Sequence, residues 1–150
     1  MTKGREEVEI LLVEDNPDDV ELTLHALRSR HVANRIHVAR DGAEALAYLL
    51  PAEGEAEVDA RHLPRLVLLE LKLPKVSGLE VLAKLKANPS TARIPVVMLT
   101  SSREDRDIEE AYRLGVNSYI VKPVEFETFA GAVQSLDLYW MVLNQPPTAM

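Results

Sequence analysis

The stretch ILLVEDNPDD, running from Ile10 to Asp19, decides the architecture. Val8, Ile10, Leu11, Leu12 and Val13 form a short apolar run that breaks abruptly into Glu14 and Asp15. That is the pattern of a strand buried on both faces which meets solvent only at its C-terminal end. Asn16 is a helix-capping residue, Pro17 suits the first helical position, and Asp18 and Asp19 favour the positive end of a helix dipole. Val20, Leu24 and Leu27 then recur at helical spacing, so a helix is expected from about Pro17 to about Arg30. A buried strand turning through an acidic corner into a capped helix is one βα unit.

The same alternation continues along the chain. Arg35 to Ala39, Leu66 to Glu70, Val96 to Thr100 and Ser118 to Val121 read as strands. Asp41 to Leu50, Gly78 to Ala87, Glu104 to Leu114 and about Glu125 to about Leu143 read as helices, with Leu79, Leu82 and Leu85 on the inner side of the second of these. Gly115 is expected to stand just beyond the end of the third as its C′ residue. Five strands alternating with helices predict an α/β fold, a doubly wound parallel sheet covered on both faces. The acidic segment PAEGEAEVDARHLP, from Pro51 to Pro64, is expected to be an exposed loop. Residues 1–144 form one expected domain, and the tail from Gln145 to Met150 is expected to fray.

Composition narrows the function classes. A chain of 150 residues with 47% hydrophobic content supports one sizeable core. There is no cysteine, which excludes disulfides and thiolate metal sites and makes a reducing cytoplasm the expected location. No apolar run approaches the roughly 20 residues of a membrane span, and no secretory signal is expected at the N-terminus. A formal net charge of -7 argues against binding nucleic acid, whose backbone must be neutralised by Lys and Arg.

In open α/β sheets the binding crevice lies beyond the C-terminal strand ends, where the strand order reverses. There the sequence places Glu14 and Asp15, Glu70, Thr100 and Ser101, and Lys122 and Pro123. Each has an ordinary explanation taken alone: a helix cap, a strand end, a β-branched strand residue, a solvated charge. Together they place matching chemistry at four strand ends whose interiors are apolar. Crowded carboxylates repel one another unless a cation joins them, and hard oxygen donors favour Mg²⁺.

The segments ILLVEDNPDD, LVLLELKLPKVSGLEVL, IPVVMLTSS and SYIVKPV, in this order, resemble the response-regulator receivers of two-component phosphorelays over essentially the whole chain. The resemblance implies a flavodoxin-like sheet of strand order 2-1-3-4-5. It implies that Glu14, Asp15, Glu70 and the main-chain carbonyl of Lys72 hold Mg²⁺ or Mn²⁺. Glu70 falls at the phosphoacceptor position, Thr100 at that of the hydroxyl that bonds an acyl phosphate, Tyr119 at that of the aromatic switch, and Lys122 at that of the phosphate-pairing lysine, followed by a cis peptide before Pro123. The segments ILLVEDNPDDVELTLHAL, RIHVARDGAEALAYL and NSYIVKPVEFETF are similar to single-domain regulators that partner phytochrome-type histidine kinases.

The family has aspartate where this chain has Glu70. Receiver phosphorylation is carboxylate attack on a phosphoryl group already gripped by its surroundings, so positioning dominates. One more methylene moves the nucleophile by about 1 Å, a displacement that can cost on the order of 10²-fold in rate. Three consequences are open: Glu70 pairs with Lys122 and leaves the resting state unchanged, it reaches towards Thr100 and Lys122 and partly mimics a phosphorylated state, or it retains slow phosphorylation.

In the last helix Phe126, Phe129, Val133, Leu136, Trp140 and Leu143 form an apolar stripe at helical spacing, while Leu138, Tyr139, Met141 and Val142 fill other faces. Phe129, Val133 and Leu136 suit core packing. The remaining excess, with Leu136, Tyr139, Trp140 and Leu143 at its centre, suits a second subunit or a kinase; in receivers the surface of helix four, strand five and helix five often forms dimers. The leading expectation is a signalling switch rather than an enzyme. A non-phosphorylatable interaction module is the close alternative. A metal-dependent phosphohydrolase would present Asp-x-Asp after strand one, which Glu14-Asp15-Asn16 does not. A flavodoxin-like cofactor carrier would place Ser, Thr and Gly there, where EDNPDD repels phosphate.

Overall fold

The computed structural model describes residues 10–29, 35–50, 63–123, 125 and 128. Its elements are β1 (Ile10–Val13), α1 (Pro17–Ser29), β2 (Ile36–Ala39), α2 (Gly42–Leu49), β3 (Leu66–Leu69), α3 (Gly78–Ala87), β4 (Val96–Thr100), α4 (Asp105–Arg113) and β5 (Ser118–Val121). All pairings are parallel and the sheet order is β2-β1-β3-β4-β5. The chain therefore runs outward from β1 to β2 and reverses at β3, and the crevice between β1 and β3 is the switch point of a doubly wound sheet.

Side-chain alternation along each strand divides the core in two. Leu11, Val13, Val67, Leu69, Val96 and Met98 pack with Ala45 and Leu49 of α2, Val81, Leu82 and Leu85 of α3, and Ala111 of α4. Ile10, Leu12, Leu66, Leu68, Val97 and Leu99 pack with Val20, Ala26 and Leu27 of α1 on the other face. The central strands β1, β3 and β4 are buried along their whole length. α4 is tied in more lightly: Ala111 is its one fully buried residue among those described, with Ile108 half-buried.

Most expected boundaries hold within a residue, and the shifts have local causes. Asp41 caps α2, its side chain accepting from the Glu44 N–H, and Leu50 closes the same helix, so the helix itself is Gly42–Leu49. Ser77 and Glu80 form a capping box at the start of α3. On α3 the buried residues are Gly78, Val81, Leu82 and Leu85, and Leu79 is half-buried beside a cleft rather than wholly inside. Gly115 ends α4 at φ 104, the left-handed conformation expected of a C′ glycine. The Pro51–Pro64 segment up to residue 62, the tail, Val8, Arg30, and the apolar stripe of the last helix, including Leu136, Tyr139, Trp140 and Leu143, lie outside the described residues; Thr128 is helical.

The turn after β3 is held by close backbone approach. The Gly78 N–H donates to the Leu71 carbonyl at 2.7 Å, and a Cβ on Gly78 would stand 2.2 Å from the Glu70 carbonyl oxygen. That contact is with backbone, which cannot rotate away. Gly78→Ala is expected to destabilise the domain by about 1–3 kcal/mol through this overpacking. Urea unfolding measures it, and an unchanged midpoint would show that the turn relaxes freely.

Candidate functional site

Parallel register brings the strand ends level. Val13 pairs with Leu69 and Leu69 with Met98, so the residues that follow them emerge along one edge of the sheet. Backbone bonds extend this order past the strands: the Glu14 N–H donates to the Ala39 carbonyl, the Glu70 N–H to the Val13 carbonyl at 3.0 Å, and the Lys122 N–H to the Thr100 carbonyl at 2.8 Å. Glu14, Glu70, Thr100 and Lys122 are thus fixed side by side by the sheet itself.

At the centre of the edge is the Lys122 ammonium. It donates to Glu14 Oε1 at 2.8 Å, Glu70 Oε1 at 2.8 Å and Asp19 Oδ2 at 2.9 Å. Glu14 and Glu70 are only 4% and 8% exposed. Burial would lower the affinity of Lys122 for its proton, but the bonds to Glu14, Glu70 and Asp19 outweigh it and raise the pKa above the usual lysine range. For Glu14 the balance is reversed. Burial raises its pKa, with Lys122 and the Asn16 N–H opposing and the Glu70 charge adding to the rise.

The remaining oxygens of the two glutamates are also held. Glu14 Oε2 accepts from the Asn16 N–H at 3.2 Å. Glu70 Oε2 accepts from the N–H groups of Leu71 at 2.9 Å and Lys72 at 3.3 Å, which folds its carboxylate back over the turn after β3. Thr100, 1% exposed, takes a different partner: its Oγ1 accepts from the Ser102 N–H at 3.3 Å.

Ser102 links the pocket to the neighbouring helix and strand. Its Oγ donates to Asp107 Oδ2 at 2.6 Å in the first turn of α4, and its carbonyl accepts from the Tyr119 hydroxyl at 3.1 Å. Tyr119 is half-buried, and burial raises its pKa against the opposing bond to Ser102. The Lys122-Pro123 peptide is cis.

Asp15 stands apart from the ammonium. It is exposed and lines, with Lys72, Ser77, Leu79, Arg106 and Asp107, an open cleft of about 560 Å³ beside the pocket. Among the described residues no three His, Asp or Glu side chains are grouped so as to hold an ion between them. The point where acids converge is taken by Lys122.

The structure therefore brings together Glu14, Glu70, Thr100 and Lys122, sets Asp15 and Lys72 on the adjoining cleft, and joins Tyr119 to the pocket through Ser102. Two participants were not singled out from the sequence. Asp19 was read only as helix N-terminal chemistry, although an acid at the third helical position of a crevice-facing helix is also within reach of a lysine across the crevice. Ser102 had no signal beyond its place two residues after Thr100.

Comparison with known proteins agrees with the fold. The profile described as "Response regulator receiver domain" matches residues 10–134. The response regulator Rcp1 of Synechocystis sp. is 39% identical over 140 residues, covering 93% of each chain, and FilR2 of Methanothrix harundinacea, by name a methanogenesis regulatory protein, is 44% identical over 138 residues, 92% of this chain and 86% of that one. The solved Mn²⁺-bound form of Rcp1 superposes with a TM-score of 0.73 at 36% identity over 95% of this chain and 100% of that one. The bacteriophytochrome response regulator AtBRR superposes with a TM-score of 0.69 at 51% identity over 94% of this chain and 100% of that one. With its strand order and these relatives in agreement, the chain belongs to the response regulator receiver family, whose members are signalling modules rather than enzymes.

Proposed function

We propose that this chain is a single-domain response regulator that takes its signal from a histidine kinase of the phytochrome type and passes it on by protein contacts in the cytoplasm. The observation that carries this reading is the Lys122 ammonium bound to Glu14 and Glu70 beside the Thr100 strand end. Likeness to AtBRR and Rcp1 supports a phytochrome partner, and no helix among the described residues is long and apolar enough to cross a membrane.

The donor chemistry suits a hard divalent cation. Three carboxylates around one ammonium leave an excess of negative charge, the available ligands are all oxygen, and Mg²⁺ commonly takes only one or two carboxylates and keeps several waters. Glu14, Asp15, Glu70 and the Lys72 carbonyl would hold Mg²⁺ or Mn²⁺. Bound there, the ion supplies positive charge to the oxygens of a transferring phosphoryl group. In calorimetric titration Asp15→Ala should lose most of the Mg²⁺ or Mn²⁺ affinity. Undiminished binding would remove Asp15 from the ligand set.

At the phosphoacceptor position, Glu70 is held by Lys122 and by two backbone N–H groups, while Thr100 bonds elsewhere. This favours an ion-paired resting state over mimicry of a phosphorylated one, and it makes a non-phosphorylatable interaction module the second reading. Transfer requires a carboxylate oxygen to attack phosphorus as the bond to the leaving oxygen breaks, and the longer glutamate arm displaces that oxygen by about 1 Å. Glu70→Asp should be labelled by acetyl phosphate and Mg²⁺ much faster than the parent chain, read as an added phosphoryl mass. Equal rapid labelling of both at this position would show that the extra methylene is accommodated.

The surface formed by helix four, strand five and helix five is proposed to carry a homodimer contact through Leu136, Tyr139, Trp140 and Leu143. Trp140→Glu places a charge in that contact, which is costly unless the charge is paired. Light scattering should show the variant shifted towards monomer, and a parent chain that is monomeric at high concentration would exclude the contact.

A further inference from the structure

An ammonium has three N–H donors and no acceptor. In this pocket all three are spent, on Glu14, Glu70 and Asp19. Any further anionic oxygen that is to bond Lys122 must displace one of them, and the three are not equivalent. The side chains of Glu14 and Glu70 are 5% and 9% exposed, whereas that of Asp19 is 31% exposed. Releasing either glutamate leaves a buried carboxylate without its counter-charge, a change that is strongly destabilising. Releasing Asp19 returns a half-exposed carboxylate to water.

The position of Asp19 lowers the cost further. It lies in the first turn of α1, where the helix dipole favours negative charge whether or not Lys122 is bonded to it. Its backbone N–H is already satisfied by Asn16 Oδ1 at 3.1 Å, so the helix start does not depend on where the side chain points. The anchor and the movable arm are separate parts of one residue.

We propose that Asp19 is a positioning residue that occupies, in the resting state, the Lys122 hydrogen bond that a phosphoryl-type oxyanion takes over when it enters the pocket. Asp19 keeps the ammonium oriented and lets go when the incoming oxygen arrives. This deepens the reading of the pocket as a phosphoryl-binding site and rests on it.

Binding of inorganic phosphate in the presence of Mg²⁺, followed through the backbone amide resonances of Thr100 and Ser102, tests the role. Removing the competing charged bond in Asp19→Asn should tighten apparent phosphate affinity by about tenfold. Asp18→Asn makes the same charge change one residue away at an exposed side chain and should alter it by less than about twofold. Asp19→Glu, which can still reach a neighbouring cation, should stay near the parent value, separating loss of the bond from a folding defect. Lys122→Met should abolish the effect of Asp19→Asn. Equal effects of Asp18→Asn and Asp19→Asn, or no tightening in Asp19→Asn, including no detectable binding to either, overturn the proposal. Phosphate binding that needs Lys122 but ignores Asp19 overturns the Asp19 role alone, while binding indifferent to Lys122→Met overturns the reading of the pocket as well.

Discussion

Three carboxylates converge on one lysine at the C-terminal edge of the sheet, and that imbalance of charge is the constraint on which the rest of the site depends. Glu14 and Glu70 are buried, and a buried carboxylate is costly unless it is paired. Lys122 supplies the pairing charge from β5, across a sheet whose parallel register holds strand ends level. The sheet order makes this possible. With β1 and β3 adjacent and β4 and β5 following, residues from positions 14, 70, 100 and 122 become neighbours although long stretches of chain separate them.

The same constraint explains why the pocket tolerates glutamate at position 70. A longer acid could have been left without partners at the end of a strand. Instead its two oxygens are divided between Lys122 and the N–H groups of Leu71 and Lys72, so the carboxylate is satisfied inside the turn. The turn is in turn braced by the backbone contact of Gly78 with Leu71 and Glu70. Both oxygens of the longer acid have partners, and Thr100 has its own bond to Ser102.

The fold was legible because buried parallel strands leave an unbroken apolar signature and capped helices leave a polar one. ILLV before EDN, and Ser77 three residues before Glu80, each carry their meaning locally. The pocket was legible in part, since acids, a hydroxyl and a lysine at strand ends are visible in one dimension. The inward turn of Asp19 was not, because its helical position has a sufficient local explanation in the dipole, and only the distance to Lys122 reveals a second role. Leu79 marks where periodicity falls short, since it reports a face and not its edges: Leu79 packs half-buried against the core while Val81 is fully buried in it. Ser102 becomes identifiable only once its contacts with Thr100, Asp107 and Tyr119 are in view.

α4 is fastened by the buried methyl group of Ala111, the half-buried Ile108 and the bonds that join Ser102 to Asp107 and to the Glu104 N–H. Among the described helices it is the element whose rearrangement would forfeit the least buried apolar surface. Buried apolar contact is what resists such a rearrangement, and α4 has little of it. Elements with few buried apolar contacts lie at the low end of the range of local stabilities, so among the described helices α4 is the one for which local opening costs least.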